Sequence, residues 1–166
     1  MWRCSTELRT RPAVALPRSM ERLDAATAER CQRRVAGALR HRRIAAGERV
    51  ALIATNSAAM LNCALGALRS GVVPVVINPA LLPHEQDALI ADAQVQCVLR
   101  DADLPSFADG PEIDIAPVPL ARPMHYTSGT TGEPRGVWSG LLDEADAALL
   151  LQEEREAWGF VASDIH

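Results

Sequence analysis

Three short apolar runs, separated by stretches of helical periodicity, restrict the folds open to this chain. They are Val50-Ala51-Leu52-Ile53-Ala54, Val72-Val73-Pro74-Val75-Val76-Ile77 and Val95-Gln96-Cys97-Val98-Leu99. A strand with one wet face alternates apolar and polar residues, whereas a near-continuous apolar run suits a strand covered on both faces, as in a parallel sheet. Pro74 has no N–H, so its strand is expected at an edge or is short on one side of the proline. Asp24 can cap a first helix running to about Arg42, with Ala28, Cys31, Val35, Ala38 and Leu39 on one face. Asn56 or Ser57 caps a second, with Met60, Leu61, Ala64, Leu65 and Leu68 inward and Gly71 as its stop. Pro83 suits the first turn of a third, ending near Ala93. Residues 101–123 hold five prolines and read as a loop-rich connector. A strand near Met124 to Thr127, a glycine-rich loop and a helix from about Asp143 to Trp158 complete the order. This alternation predicts an α/β fold: a mostly parallel sheet with helices on both faces, joined by right-handed crossovers.

Composition excludes several classes. The 166 residues fit one domain, which at this size buries about 70% of its unfolded surface. A net charge of -4 argues against nucleic acid as a partner. All 17 basic residues are arginine. Cys4, Cys31, Cys63 and Cys97 are widely spaced, as expected of reduced thiols in a cytoplasmic protein. His41, His84, His125 and His166 show no metal-ligand spacing. No apolar run reaches the ~20 residues that span a bilayer. The arginine-bearing start lacks the apolar centre of a secretory signal.

The chemistry concentrates between His125 and Val137. Hydroxyls occur at Thr127, Ser128, Thr130 and Thr131, glycines at Gly129, Gly132 and Gly136, and a fixed cation at Arg135. Glycines let backbone N–H groups close around an anion, hydroxyls donate to phosphate oxygens, and a guanidinium adds charge-assisted bonds. A loop following an apolar strand also stands where open α/β sheets bind ligands. The spacing is neither that of a Walker A loop nor that of a dinucleotide turn.

Tyr126-Thr127-Ser128-Gly129-Thr130-Thr131-Gly132-Glu133-Pro134-Arg135-Gly136-Val137 resembles the phosphate-binding signature of the adenylate-forming (AMP-binding) superfamily. The resemblance continues upstream through Arg30 to Leu39, Gly47 to Leu52, Asn56-Ser57, Leu68 to Val75 and Ile77-Asn78-Pro79. It covers residues 12–166 as part of the large N-terminal domain, with 1–11 as an extension. The Gly71-to-Pro79 and Gly136-Val137-Trp138 stretches look most like fatty-acid or other carboxylic acid CoA ligases. The resemblance implies attack of a carboxylate on ATP to form an acyl-adenylate, followed by transfer to coenzyme A, with Mg²⁺ assisting. It assigns Thr127, Ser128, Gly129, Thr130, Thr131, Gly132 and Arg135 to the ATP phosphates, and no catalytic residue or metal ligand to this chain.

Two departures shape the expectation. Arg135 stands where the family has lysine. The later part of the large domain and the mobile C-terminal domain of such enzymes are not represented. The chain is therefore expected to be an N-terminal fragment, inactive alone, whose partner is the C-terminal portion if the gene is split. The alternative is a non-catalytic remnant or interaction module. Apolar faces that pack on the later portion are expected to be exposed. Tyr126 is expected to pack beside the loop, Trp138 and Trp158 to be core or interface residues, and the acidic residues of the last helix to be solvated.

Overall fold

The computed structural model describes residues 24–128 and 134–159. Their elements are α1 (Ala25–His41), β1 (Arg49–Ile53), α2 (Ala58–Arg69), β2 (Val73–Val76), α3 (Pro83–Ala93), β3 (Cys97–Arg100), α4 (Leu104–Ala108), β4 (His125–Ser128), β5 (Pro134–Val137) and α5 (Glu144–Trp158). β1, β2 and β3 form a parallel sheet in the order β2-β1-β3. The expected division at residue 12 lies outside the described residues.

Side chains alternate across this sheet and feed two cores. Val50 and Leu52 of β1 join Leu99 under α1, α2 and α4. Ala51 and Ile53 join Val73 and Val75 against Leu89 and Ala93 of α3. Helices therefore cover both faces, and Val50 to Ile53 are all at most 2% exposed. That double burial is what the continuous apolar run encodes.

Local chemistry sets the helix ends. Asp24 accepts from the Thr27 N–H at 2.7 Å, Ser57 from Met60 at 3.1 Å and Asp143 from Asp146 at 2.9 Å. Each satisfies an N–H that the first helical turn would leave unpaired. In α3, with Pro83 first, the Glu85 carboxylate reaches back to the Leu82 N–H at 2.8 Å.

Three expectations change. The inward face of α2 is only in part the expected one: Leu68 is buried and Met60 and Ala64 pack on the core, but Asn62, Cys63, Gly66 and Ala67 are buried as well, while Leu61 is 57% exposed. Small residues win because α1 and α2 cross closely, and a Cβ at Gly66 would lie 2.7 Å from the Gln32 carbonyl oxygen. Asn62 is held there by the Gln32 amide at 3.3 Å and by the Ala58 carbonyl, to which it donates at 2.9 Å. Next, the connector contains a short helix, α4, and is tied down. Arg33 pairs with Asp114, Arg34 donates to Glu112 at 3.0 Å, and Arg69 donates to the Ala116 carbonyl at 2.7 Å. Arg69 also binds Glu29 and, at 2.7 Å, Gln32, so one guanidinium joins α1, α2 and the connector. Arg69 is mostly buried, and its guanidinium nitrogens meet acceptors from α1 and the connector. Finally, the strand entering the glycine-rich loop does not lead into a helix. β4 returns as β5, an antiparallel hairpin.

Candidate phosphate-binding hairpin

The hairpin leaves the sheet at one residue. Met124 forms an isolated parallel bridge with Val75, and its N–H donates to the Pro74 carbonyl at 3.0 Å. Pro74 can accept on that side but cannot donate, so pairing there is brief. This matches the expected edge position of a proline-bearing strand. Val75 is next to last in β2, so β4 continues past the carboxyl end of that strand, where α/β sheets bind ligands.

Register decides which residues share a face. Thr127 stands opposite Arg135, Tyr126 opposite Gly136, His125 opposite Val137 and Ser128 opposite Pro134. Directly opposed residues point to the same side, about 5 Å apart between Cβ atoms. Thr127 and Arg135 are both exposed, as are His125 and Val137. One face of the hairpin thus presents a hydroxyl beside a guanidinium. This pair can donate to an anion from two strands at once, and the guanidinium offers the planar fork that suits phosphate oxygens.

The other face is packed. Tyr126 and Trp138 lie against the core under α3. The Tyr126 hydroxyl is 2.6 Å from Asp92 Oδ2 and 3.2 Å from the Leu89 carbonyl oxygen. Burial, reinforced by the Asp92 carboxylate, pushes the phenol well above its ordinary range. The Arg49 guanidinium lies 5.2 Å from the centroid of the Trp138 ring and donates to the Ala93 carbonyl at 3.0 Å. Pro134 closes a cleft of about 470 Å³ with Leu81, His84, Glu85, Ala88, Leu89 and Asp92 of the α3 region.

Of the residues expected to hold phosphate, the structure brings Thr127 and Arg135 together and ends β4 with Ser128. Gly129, Thr130, Thr131 and Gly132 lie outside the described residues. Asp92 carries no sequence signal for its part here; within α3 it reads as one more solvated carboxylate. Trp138 is half-buried and packs against the core, and Trp158 is 75% exposed. On α5 only Ala147 is buried. Among the described residues no cluster of three or more His, Cys, Asp or Glu is placed to hold a metal. None of the described helices is long and apolar enough to cross a membrane.

An open, mostly parallel α/β sheet with helices on both faces and a hairpin at its edge defines the class. The chain belongs to the AMP-binding enzyme family, whose pattern matches residues 5–120. The relatives bear out the resemblance to adenylate-forming enzymes. The chain is 31% identical over 118 residues to 2-succinylbenzoate--CoA ligase of Bacillus cereus (strain Q1), covering 62% of this chain and 24% of that protein. It is 24% identical over 151 residues to syringomycin synthase SyrB1 of Pseudomonas syringae pv. syringae, covering 80% of this chain and 24% of that protein. In fold it is similar to the O-succinylbenzoate coenzyme A synthetase of Bacillus subtilis in complex with ATP and magnesium ion. That likeness has a TM-score of 0.67 at 19% identity and covers 87% of this chain and 43% of that one. The chain thus spans about a quarter of the length of these curated relatives. The family match ends before the hairpin.

Proposed function

We propose that this chain supplies the ATP phosphate-holding part of a carboxylic acid–CoA ligase that works through an acyl-adenylate. The observation that carries the reading is the hydroxyl–guanidinium pair of Thr127 and Arg135 on the exposed face of the hairpin. In adenylation the β- and γ-phosphates must be held while the acid attacks the α-phosphate. The hairpin's part is positioning and neutralisation of charge. Thr127 and Arg135 would each donate to phosphate oxygens, joined by Ser128, Gly129, Thr130, Thr131 and Gly132. Mg²⁺, when bound with ATP, supplies further charge neutralisation. It commonly binds through phosphates and water with one or two carboxylates, and the described residues offer no ready cage for it.

Complete turnover, with coenzyme A as the acceptor, is assigned to the larger assembly of which this chain covers a quarter by comparison with its relatives. A cytoplasmic enzyme whose remaining portion follows in the same chain or in a separate partner fits this reading. The acid is a fatty or related acid on the resemblance of Gly71–Pro79 and Gly136–Trp138. A second reading, an aromatic acid, is favoured by relatives whose names specify succinylbenzoate.

Calorimetric titration of the chain with ATP and with pyrophosphate tests the proposal. Arg135→Ala should weaken both by at least about tenfold, the worth of one charge-assisted hydrogen bond, and Arg135→Lys should retain part of the affinity. In the assembled ligase, ATP–pyrophosphate exchange should follow the same order. Equal values for all three proteins would remove Arg135 from the site.

A further inference from the structure

We propose that Tyr126 is the positioning residue of this hairpin. Its hydroxyl, donated to Asp92 on α3, fixes the face on which Thr127 and Arg135 meet an anion. The inference rests on the phosphate-holding role proposed above and adds two residues to it.

A two-stranded hairpin is marginal by itself. This one joins the sheet through a single bridge at Met124, so its orientation must come from packing. The Tyr126 ring supplies that packing on both strands. It belongs to β4, yet a Cβ at Gly136 of β5 would lie 3.2 Å from Cζ and 3.4 Å from Cε1. The ring therefore lies along the β5 backbone, and together with the Met124 methyl group it leaves room there only for glycine. Its hydroxyl then reaches past the strand to α3. A phenol has one proton, and the contact at 2.6 Å to Asp92 Oδ2 is the donation, with the Leu89 oxygen secondary at 3.2 Å. A carboxylate acceptor strengthens such a bond. Thr127 follows Tyr126 directly and Arg135 opposes it diagonally across the strands. Any rotation of the Tyr126 ring away from α3 tilts both of them together. The high pKa of the phenol agrees with a ring that keeps its proton against Asp92, with Arg49 opposing the shift.

Packing alone would need the ring and not the hydroxyl, which makes Tyr126→Phe the decisive variant. The experiment uses the whole chain as wild type, Tyr126→Phe, Asp92→Ala, Asp92→Asn and the double variant Tyr126→Phe/Asp92→Ala. Amide hydrogen exchange in 124–128 and 134–138 is read without ligand, and ATP affinity by titration. We expect Tyr126→Phe and Asp92→Ala each to speed exchange in the hairpin alone and to weaken ATP by about tenfold, as for one charge-assisted bond. Asp92→Asn, which can still accept, should recover part of both, and the double variant should add nothing. Tyr126 is the chain's single tyrosine, so its ionisation is read directly from tyrosinate absorbance. That titration should move down in Asp92→Ala. Wild-type exchange and affinity in Tyr126→Phe would overturn the proposal while leaving the phosphate reading intact. A wild-type chain that binds no ATP would overturn the phosphate reading, and exchange in Tyr126→Phe would still judge the latch: faster exchange supports it and unchanged exchange overturns it.

Discussion

Raising the pH past 9 should weaken this chain through one identifiable thiol. Lysine is absent from the sequence, so few groups titrate in that range beyond the cysteines and Tyr126. Cys63 lies on α2 in the core beneath α1 and is 3% exposed. Burial, with a smaller push from Cys31, raises its thiol from an ordinary 9.0 to about 11. Below pH 9 both the folded and the unfolded chain hold the proton, and stability is at its full value. Between pH 9 and 11 the unfolded chain gives up the proton and the folded chain does not. Stability therefore falls through that window, and above it both states are ionised and no further loss accrues. At 1.36 kcal/mol per pH unit the total is about 2–3 kcal/mol. For a chain of this size that corresponds to a fall in melting temperature of roughly 5–10 °C.

Cys63→Ala removes the titrating group. It should cost about 1 kcal/mol at pH 7 from lost packing. It should then lose less with rising pH, so that the two stability curves converge or cross near pH 11. Urea unfolding followed by circular dichroism at pH 8, 9, 10 and 11, with reductant present, reads both curves. Cys97 and Tyr126 are also raised by burial and keep a residual slope in the variant. The difference between the curves is thus the quantity that belongs to Cys63. Parallel curves would show that Cys63 ionises in the folded chain as freely as in the unfolded one, and the burial argument would fail.

Arg69→Lys should lower stability by about 1–2 kcal/mol in urea unfolding, because one ammonium cannot serve Glu29, Gln32 and the Ala116 carbonyl in the fork geometry of a guanidinium. Hydrogen bonding to Arg69 holds the Glu29 carboxyl below its ordinary 4.5, so this stabilisation is present above that pH and is lost as pH falls below it. Glu29→Gln should therefore flatten the acid limb, and an unchanged limb would exclude the pair as its source. Gly136→Val should detach the hairpin at a cost of about 1–3 kcal/mol. The Met124 methyl group 2.1 Å from the new Cβ can swing aside, but the Tyr126 ring at 3.2 Å cannot do so without leaving α3. A tyrosinate titration returning to its ordinary range in that variant would show the detachment.

Elements whose residues respond to local rules were readable in advance. The β1 run declares its double burial, Asp24 and Ser57 cap their helices through contacts three residues long, and Pro74 marks the sheet position where pairing is brief. What escaped the sequence depends on distant partners. Leu61 is apolar enough for the core, but the close crossing at Gly66 selects smaller neighbours, and Leu61 faces outward. In β5, Pro134 and Gly136 disfavour a strand; the segment is one because β4 lies beside it. The loop's chemistry points to Thr127 and Arg135, yet their opposition across two strands is a product of register. Asp92 becomes visible only when Tyr126 is laid against α3.

Register also explains how an arginine can occupy the basic position of this loop. Side chains alternate along a strand, so a slip of one residue in β5 would turn Arg135 toward α3 and bring its neighbours outward. Gly136 blocks that slip. Among residues 134–138 it is the only glycine, and the Met124 methyl group and the Tyr126 ring crowd the space where any other side chain would stand. Tyr126 over Gly136 therefore sets Arg135 on the exposed face beside Thr127. On that face a side chain longer and flatter than lysine meets no packed neighbour from the core. The fold constrains the direction of the cation through a glycine and a tyrosine and leaves its size to the ligand. The choice of arginine over lysine is then read in phosphate affinity and geometry, not in the stability of the chain.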